Sequence, residues 1–348
     1  MQKKYQNGFF IFGIIVLAFM VTQLDFAEVW RGLSHAGYWF LAVVVLWAFL
    51  YIFNTCSWRL IIGSVCADTV NVQPVPFWWL YKVTVSGFAL NYATPGGLMG
   101  GEPYRIMMLS PRIGTERASS SVILYVMTHI FSHFWFWLLS IPLYLLVQSV
   151  NPFTGCLLLV MAVVCVAAIW FFLRGYKKGL AVATMNLLRH LPLVRRWAES
   201  FVDRHQEQLA RIDQQIATLH NQRPRRFAAA VGLELACRIA SALEVYFILL
   251  VFSQGLPIGE VADFTYLDCI LIISFTTLLA NILFFMPLQL GGREGGFFLS
   301  ITTLGMGLTA AWAAQAAIFV ALIVRVRELV WTGIGLLLIK LDKRQAAQ

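Results

Sequence analysis

Residues 118–173 read ASSSVILYVMTHIFSHFWFWLLSIPLYLLVQSVNPFTGCLLLVMAVVCVAAIWFFL, 56 residues without one Asp, Glu, Lys or Arg. A helix crossing the hydrocarbon core of a bilayer needs about 20 apolar residues. The run is long enough for two, and Asn151-Pro152 in its middle is a turn signal. Similar uncharged runs extend from Tyr5 to Leu24, Gly32 to Trp58, Cys269 to Gly292 and Gly295 to Val324. The chain has 348 residues, is 59% hydrophobic and only 12% charged, about half the charged share of a soluble domain. These features predict an all-α polytopic integral membrane protein.

Charge placement orients the spans. Lys3 and Lys4 precede the first apolar run, which resembles a signal peptide but ends at Thr22-Gln23-Leu24-Asp25 without a small-x-small cleavage site. The expectation is therefore a retained first span over 8–24, leaving the cytoplasm. Spans over 37–58, 118–148, 154–173, 227–252 and 310–339 follow, the second ending at the interfacial pair Trp58-Arg59. Segment 174–226 holds eleven Lys/Arg against four acids, most of the net +9. Flanked by spans, it obeys the positive-inside rule, as do Lys340, Lys343 and Arg344 after the last span. Both termini are then cytoplasmic, and a bacterial inner (plasma) membrane is the expected location. Segment 174–226 also has helical apolar periodicity (Met185, Leu187, Leu188, Leu191, Phe201, Leu209, Ile212, Ile216). Such a segment lies on an anionic membrane surface rather than on nucleic acid.

Two regions fail as plain spans. Residues 76–110 enter as an apolar helix, break at Asn91-Tyr-Ala-Thr-Pro-Gly-Gly and continue to Arg105, Arg112 and Arg117. Residues 265–308 start beside an outer loop with Glu260 and Asp263, break at Met286-Pro287 and pass through Gly291-Gly292-Arg293-Glu294-Gly295-Gly296. Topology makes each a re-entrant helical hairpin, one from each side, because irregular backbone at membrane depth needs protein or a wet cavity around it. The breaks share the pattern Pro-x-x-Leu-x-Gly-x-Glu, Pro95 to Glu102 and Pro287 to Glu294, offset by 192 residues. Inverted repeats with broken helices are a transporter architecture. The expected organisation is one membrane domain, 1–348, with about six full spans plus two hairpins. Repeat A covers about 37–148, the cytoplasmic basic segment 174–226, and repeat B about 227–339.

The breaks carry the candidate site. Proline stops a helix, glycine lets backbone approach a ligand, and a restarting helix points N–H groups and a positive dipole end at the gap, which suits phosphate. The candidate substrate-binding residues are Pro95, Gly96, Gly97, Gly100, Gly101, Glu102 and Arg105 at the first break, and Pro287, Gly291, Gly292, Arg293 and Glu294 at the second, with Arg238. Asn91, Glu234, Glu244, Arg325 and Glu328 are candidates to support them, since charges at membrane depth are functional by default. Glu102 and Arg105 are three apart, and Glu234 and Arg238 four apart, spacings that share a helix face. For Arg327 and Lys82 a structural role, as helix glue or a cation snorkelling to the interface, weighs at least as much as a functional one. His129 and His133 are four apart, but no third ligand accompanies them, so no metal is expected. The six cysteines show neither disulfide nor zinc spacing. A P-loop is absent, and no cofactor is expected.

The break motifs, the arginines after the first and the basic mid-chain loop resemble the lysylphosphatidylglycerol synthase transmembrane-region family, whose members are also described as flippase-like. The resemblance covers essentially the whole chain and rests on Pro95 to Arg105 and Pro287 to Gly296, less on Trp58-Arg59. At Leu288-Gln289 the second motif departs from the family's commoner Pro-Gly-x-x-Gly. The resemblance implies a membrane domain that handles phospholipids or lipid-linked sugars. The aminoacyl-transferase activity of bifunctional relatives is not implied, the sequence ending at Gln348 after its last span. The leading expectation is a lipid flippase without enzymatic activity, in which Arg105, Arg293 and Arg238 bind an anionic headgroup and Glu102 and Glu294 orient them or carry protons. A membrane-embedded transferase, and a scaffold recruiting a lipid-modifying enzyme through 174–226, are the alternatives.

Overall fold

A computed structural model describes residues 34, 36–67, 73–93, 100–178, 214, 224–256, 262–283 and 292–345. The expected first span over 8–24, most of the basic segment 174–226, and Pro95, Gly96, Gly97, Pro287 and Gly291 lie outside the described residues. Among those described there are nine helices: α1 (Trp39–Val65), α2 (Phe77–Ala93), α3 (Gly101–Ile113), α4 (Thr115–Val147), α5 (Pro152–Lys178), α6 (Pro224–Gln254), α7 (Tyr266–Ile282), α8 (Gly292–Leu304) and α9 (Ala310–Gln345). No strand occurs among the described residues.

Among the described residues, four helices are long and apolar enough to cross a bilayer: α1, α4, α6 and α5 over Pro152–Gly175. The 56-residue uncharged run does hold two of them, and Asn151 makes the turn: its side chain accepts from Thr154 N at 2.8 Å and its carbonyl from Gly155 N at 2.8 Å. Pro152 then fills the first helical position, where a missing N–H is harmless. Helix α9 is the longest at 36 residues, about 54 Å, but Arg325, Arg327 and Glu328 interrupt its apolar character midway. The span boundaries read from hydropathy are short by a few residues at most ends, because helices project past the apolar core into the interface.

The remaining helices are short. α2 and α7 have 17 residues each, α3 and α8 have 13 each, so the longest rises about 25 Å, less than the ~30 Å core. Helix α7 opens with a capping box, in which Thr265 and Asp268 satisfy each other's backbone N–H. Between α3 and α4 the chain turns at Gly114, whose φ of +87° is open only to glycine at low strain.

The long helices α1 and α6 run against one another, α2 packs on α9, α7 on α4, α3 on α4 and α8 on α9. Among the described helices, α5 touches only α4 closely and turns apolar side chains such as Leu159, Val163 and Trp170 outward, as a lipid-facing helix does. Among the described residues two large apolar cores result, with a smaller cluster of Tyr51, Val85 and Trp331. One joins Trp58, Leu80, Tyr104, Leu109 and Val122 from α1 to α4. The other joins Ile248, Ile272, Phe297, Ile301 and Val320 from α6 to α9. Small residues let backbones meet between them: Ser86 of α2 donates to Gly335 O of α9 at 3.1 Å, and a Cβ on Gly335 would run into Ala89.

Candidate functional site

Among the described residues, most of the charges that interrupt the apolar pattern gather in two clusters, each near the middle of its long helices. The first surrounds the start of α3. Asn91, in the last turn of α2, accepts from Gly101 N at 2.7 Å and donates to Glu102 Oε1 at 2.9 Å. One of the N–H groups exposed at a helix start is therefore met by a side chain of the same protein. Arg105 Nη1 donates to the same Glu102 oxygen at 3.2 Å, and its guanidinium lies 4.7 Å from the Phe88 ring and 5.4 Å from that of Tyr125. A Cβ on Gly87 would collide with Arg105 Nε, and one on Gly101 with Gly87 O. Glycine at both positions is what lets α2 and α3 close around the guanidinium. Gly100 precedes α3 as its N-terminal flanking residue.

Arg105 is only 1% exposed, sealed by aromatic faces. Charge over a ring face is attracted by the ring quadrupole, which offsets part of the burial penalty. Below it on α4, His129 Nδ1 stands 2.7 Å from Glu234 Oε2 of α6. Arg238, four residues on, bonds instead to Ser132 Oγ and His129 O, both at 2.7 Å. Glu234 and Arg238 thus both reach across to α4. His133 stacks on Trp137 with ring centroids 5.2 Å apart.

The second cluster joins α8 to α9 and α6. Arg293 pairs with Glu328, and Glu294 with Arg325. The neighbours Arg293 and Glu294 each find their partner on α9. Arg325 also reaches Glu328 at 3.3 Å, and Arg327 Nη1 lies 4.0 Å from it. Glu328 is therefore the shared anion of three guanidiniums. Arg327 spends its other nitrogens on Glu244, Nε to Oε1 at 2.7 Å and Nη2 to Oε2 at 3.0 Å, and stacks 3.9 Å from Trp47. Gly292 opens α8 and packs against Leu283.

The clusters differ in access. Arg293, Glu294, Arg325 and Glu328 line a small half-open cleft, whose other wall is Phe297, Ala321 and Val324. The side chain of Arg293 is 20% exposed and that of Glu294 39%. Ring contacts run from one cluster to the other, Phe88 beside Arg105, then Tyr51, then Trp47 beside Arg327: Tyr51 is 5.4 Å from Phe88 and 5.7 Å from Trp47, centroid to centroid.

Hydropathy marks every one of these charges but hides their uncharged partners. Trp47, Tyr51, Phe88 and Tyr125 look like core residues in the sequence, and nothing in it singles out Gly87. The pairing of His129 with Glu234 links residues 105 apart, beyond any spacing rule.

The fold and its buried charges define a multi-pass helical membrane protein with an ionic interior. The chain belongs to the Lysylphosphatidylglycerol synthase TM region family, which it matches over residues 8–334. Neither the curated proteins nor the solved structures give a match. Membership places the protein among membrane proteins of lipid metabolism or transport.

Proposed function

We propose that this protein is a flippase that moves the headgroup of an anionic lipid, a phospholipid or a lipid-linked saccharide, between leaflets, without chemical change to it. The observation that carries this reading is the cleft at Arg293. One side presents two guanidiniums and the other an apolar wall, the pairing that a phosphate with attached acyl or prenyl chains requires. Arg293 meets the phosphate and Arg325 assists. Glu328 and Glu294 hold both arginines until the headgroup arrives. Because the headgroup must displace an existing carboxylate, binding stays weak enough for release, which passage needs. Arg105 and Arg238, committed to protein partners, position the helices around the path.

An inverted repeat is the second part of the proposal. It is supported by helix lengths: α2 and α7 are equal, as are α3 and α8. Neighbour relations also pair off, α3 on α4 with α8 on α9, and α2 on α9 with α7 on α4. Where Gly87 makes room for Arg105, the corresponding crossing of α7 and α8 has Gly296 making room for Thr276. On this reading α2–α3 and α7–α8 are re-entrant hairpins from opposite sides. Both termini and the basic segment 174–226 face the cytoplasmic leaflet of a bacterial inner membrane.

The test is headgroup translocation by purified protein in proteoliposomes, with fluorescent short-chain phosphatidylglycerol as probe. Wild type moves the probe to a quencher-protected leaflet, and Arg293→Ala slows this by about 10- to 100-fold while keeping the wild-type melting temperature. Wild-type rates in Arg293→Ala would sink the mechanism, and a chemically altered probe would show a transferase instead.

A further inference from the structure

We propose that His129 and Glu234 form a proton-carrying site, so that headgroup movement is coupled to proton movement; this rests on the transport reading above. The pair is not built like finished helix glue. Glu234 is 1% exposed, and its Oε1 is buried with no hydrogen-bond partner among the described residues, as is His133 Nδ1. Buried polar atoms are nearly always satisfied, and an exception calls for a functional account. The side chain of His129 is 31% exposed while its partner carboxylate is sealed. The pair therefore joins an accessible group to an inaccessible one.

Its surroundings form a stripe of ring side chains, each in ring contact with the next. Tyr125, His129, His133 and Trp137 recur every four residues along one face of α4. The stripe begins beside Arg105, 5.4 Å from the Tyr125 ring, and ends where Trp137 Nε1 donates to Thr277 of α7 at 3.2 Å. Twelve residues of helix rise about 18 Å, over half the ~30 Å hydrocarbon core. The groups that face the pair are Tyr125 and His133 on α4, Cys237 and Arg238 on α6, and Arg105 on α3, with Glu102 beyond Tyr125. Helices α1 and α7 bring the uncharged Asn54 and Thr277. On α5, Arg174 stands over its own Trp170.

With His129 neutral, Glu234 and Arg238 cancel. A proton on the pair leaves one positive charge, which an anionic headgroup in the membrane favours. By linkage, the proton then favours the headgroup to the same degree. The step is a proton moving from water on one side onto His129 and Glu234, and from them to water on the other side. No other bond forms or breaks.

The full chain in proteoliposomes with a trapped pH dye, given fluorescent short-chain phosphatidylglycerol, tests this. Wild type should change lumenal pH as the probe moves, and an imposed pH gradient should alter the rate several-fold. In His129→Gln and Glu234→Gln that gradient response should fall below twofold. Probe movement without any pH response overturns the coupling and leaves the transport reading standing. An undiminished response in both variants removes the assignment to this pair, and no probe movement by wild type defeats both readings. Should the variants misfold, the ¹⁵N shift of His129 in detergent-solubilised wild type decides, assigned with His133→Asn. It must move toward imidazolium when the probe is added, and an unchanged shift overturns the proposal.

Discussion

Arg327 and Glu244 meet in two parallel hydrogen bonds, 2.7 and 3.0 Å long, between the middles of α9 and α6. Trp47 of α1 closes the pair from both sides, donating to Glu244 at 2.9 Å and stacking on the guanidinium. Arg327 is 0% exposed and Glu244 2%, so neither ion has water to fall back on. Three helices are thereby joined by one bond network.

Removing either partner should therefore destabilise the fold. Arg327→Ala or Glu244→Ala leaves the other ion buried and unpaired, at a cost of about 3–5 kcal/mol. Changing both to Met should recover most of that loss, since the pair's net worth is far smaller than the penalty for splitting it. Denaturation in detergent, run as a double-mutant cycle, measures both effects. Independent, additive losses would refute the pairing.

Arg293 should behave differently, because it lies on the cleft. Arg293→Ala is expected to slow probe translocation by about 10- to 100-fold, the worth of a charge-assisted hydrogen bond. Arg293→Lys should fall between, having charge but no fork to bridge phosphate and carboxylate. Equal effects of Lys and Ala would show that geometry and charge are not separable there.

Gly87→Ala should damage the protein although it adds one methyl group. The new Cβ would strike Arg105 within its aromatic cage, an overpacking worth about 1–3 kcal/mol. Gly232→Ala, on α6 with nothing within 4 Å of the added atom, should be neutral or slightly stabilising. Comparing melting temperatures of the two variants isolates the close approach from helix propensity.

Asn91 plays a double role that substitution can split. Asn91→Ala removes the acceptor for Gly101 N and should cost about 1 kcal/mol, as loss of a helix cap does. Asn91→Asp retains that acceptor but turns a donor to Glu102 into a second carboxylate. It should therefore be worse than Asn91→Ala at neutral pH and partly recover in acid. An Asn91→Asp protein as stable as wild type would mean that the contact with Glu102 carries no weight.

Much of this was legible in the sequence because the bilayer imposes one-dimensional rules. A charge-free run of 56 residues with Asn151-Pro152 at its centre has few alternatives to two helices with a turn, and α4 and α5 are those helices. The same logic singled out Arg105, Glu234, Glu244, Arg293 and Glu328, since a charge amid apolar residues must find a partner. The partners were another matter. Glu294 adjoins Arg293 in the chain yet bonds to Arg325, and Glu234, one turn from Arg238, bonds to His129.

The sequence by itself determined that the chain is helical and membrane-embedded, where its helices break, and which residues carry buried charge. Those follow from the cost of placing peptide groups and ions in lipid, which acts on each segment alone. Only the tertiary structure decided that Arg105 is caged while Arg293 opens on a cleft, that Glu328 serves three arginines, and that Phe88, Tyr51 and Trp47 line up in ring contacts from Arg105 to Arg327. Those depend on which helix faces lie together, and ion pairing across helices is set by packing in three dimensions rather than by distance along the chain.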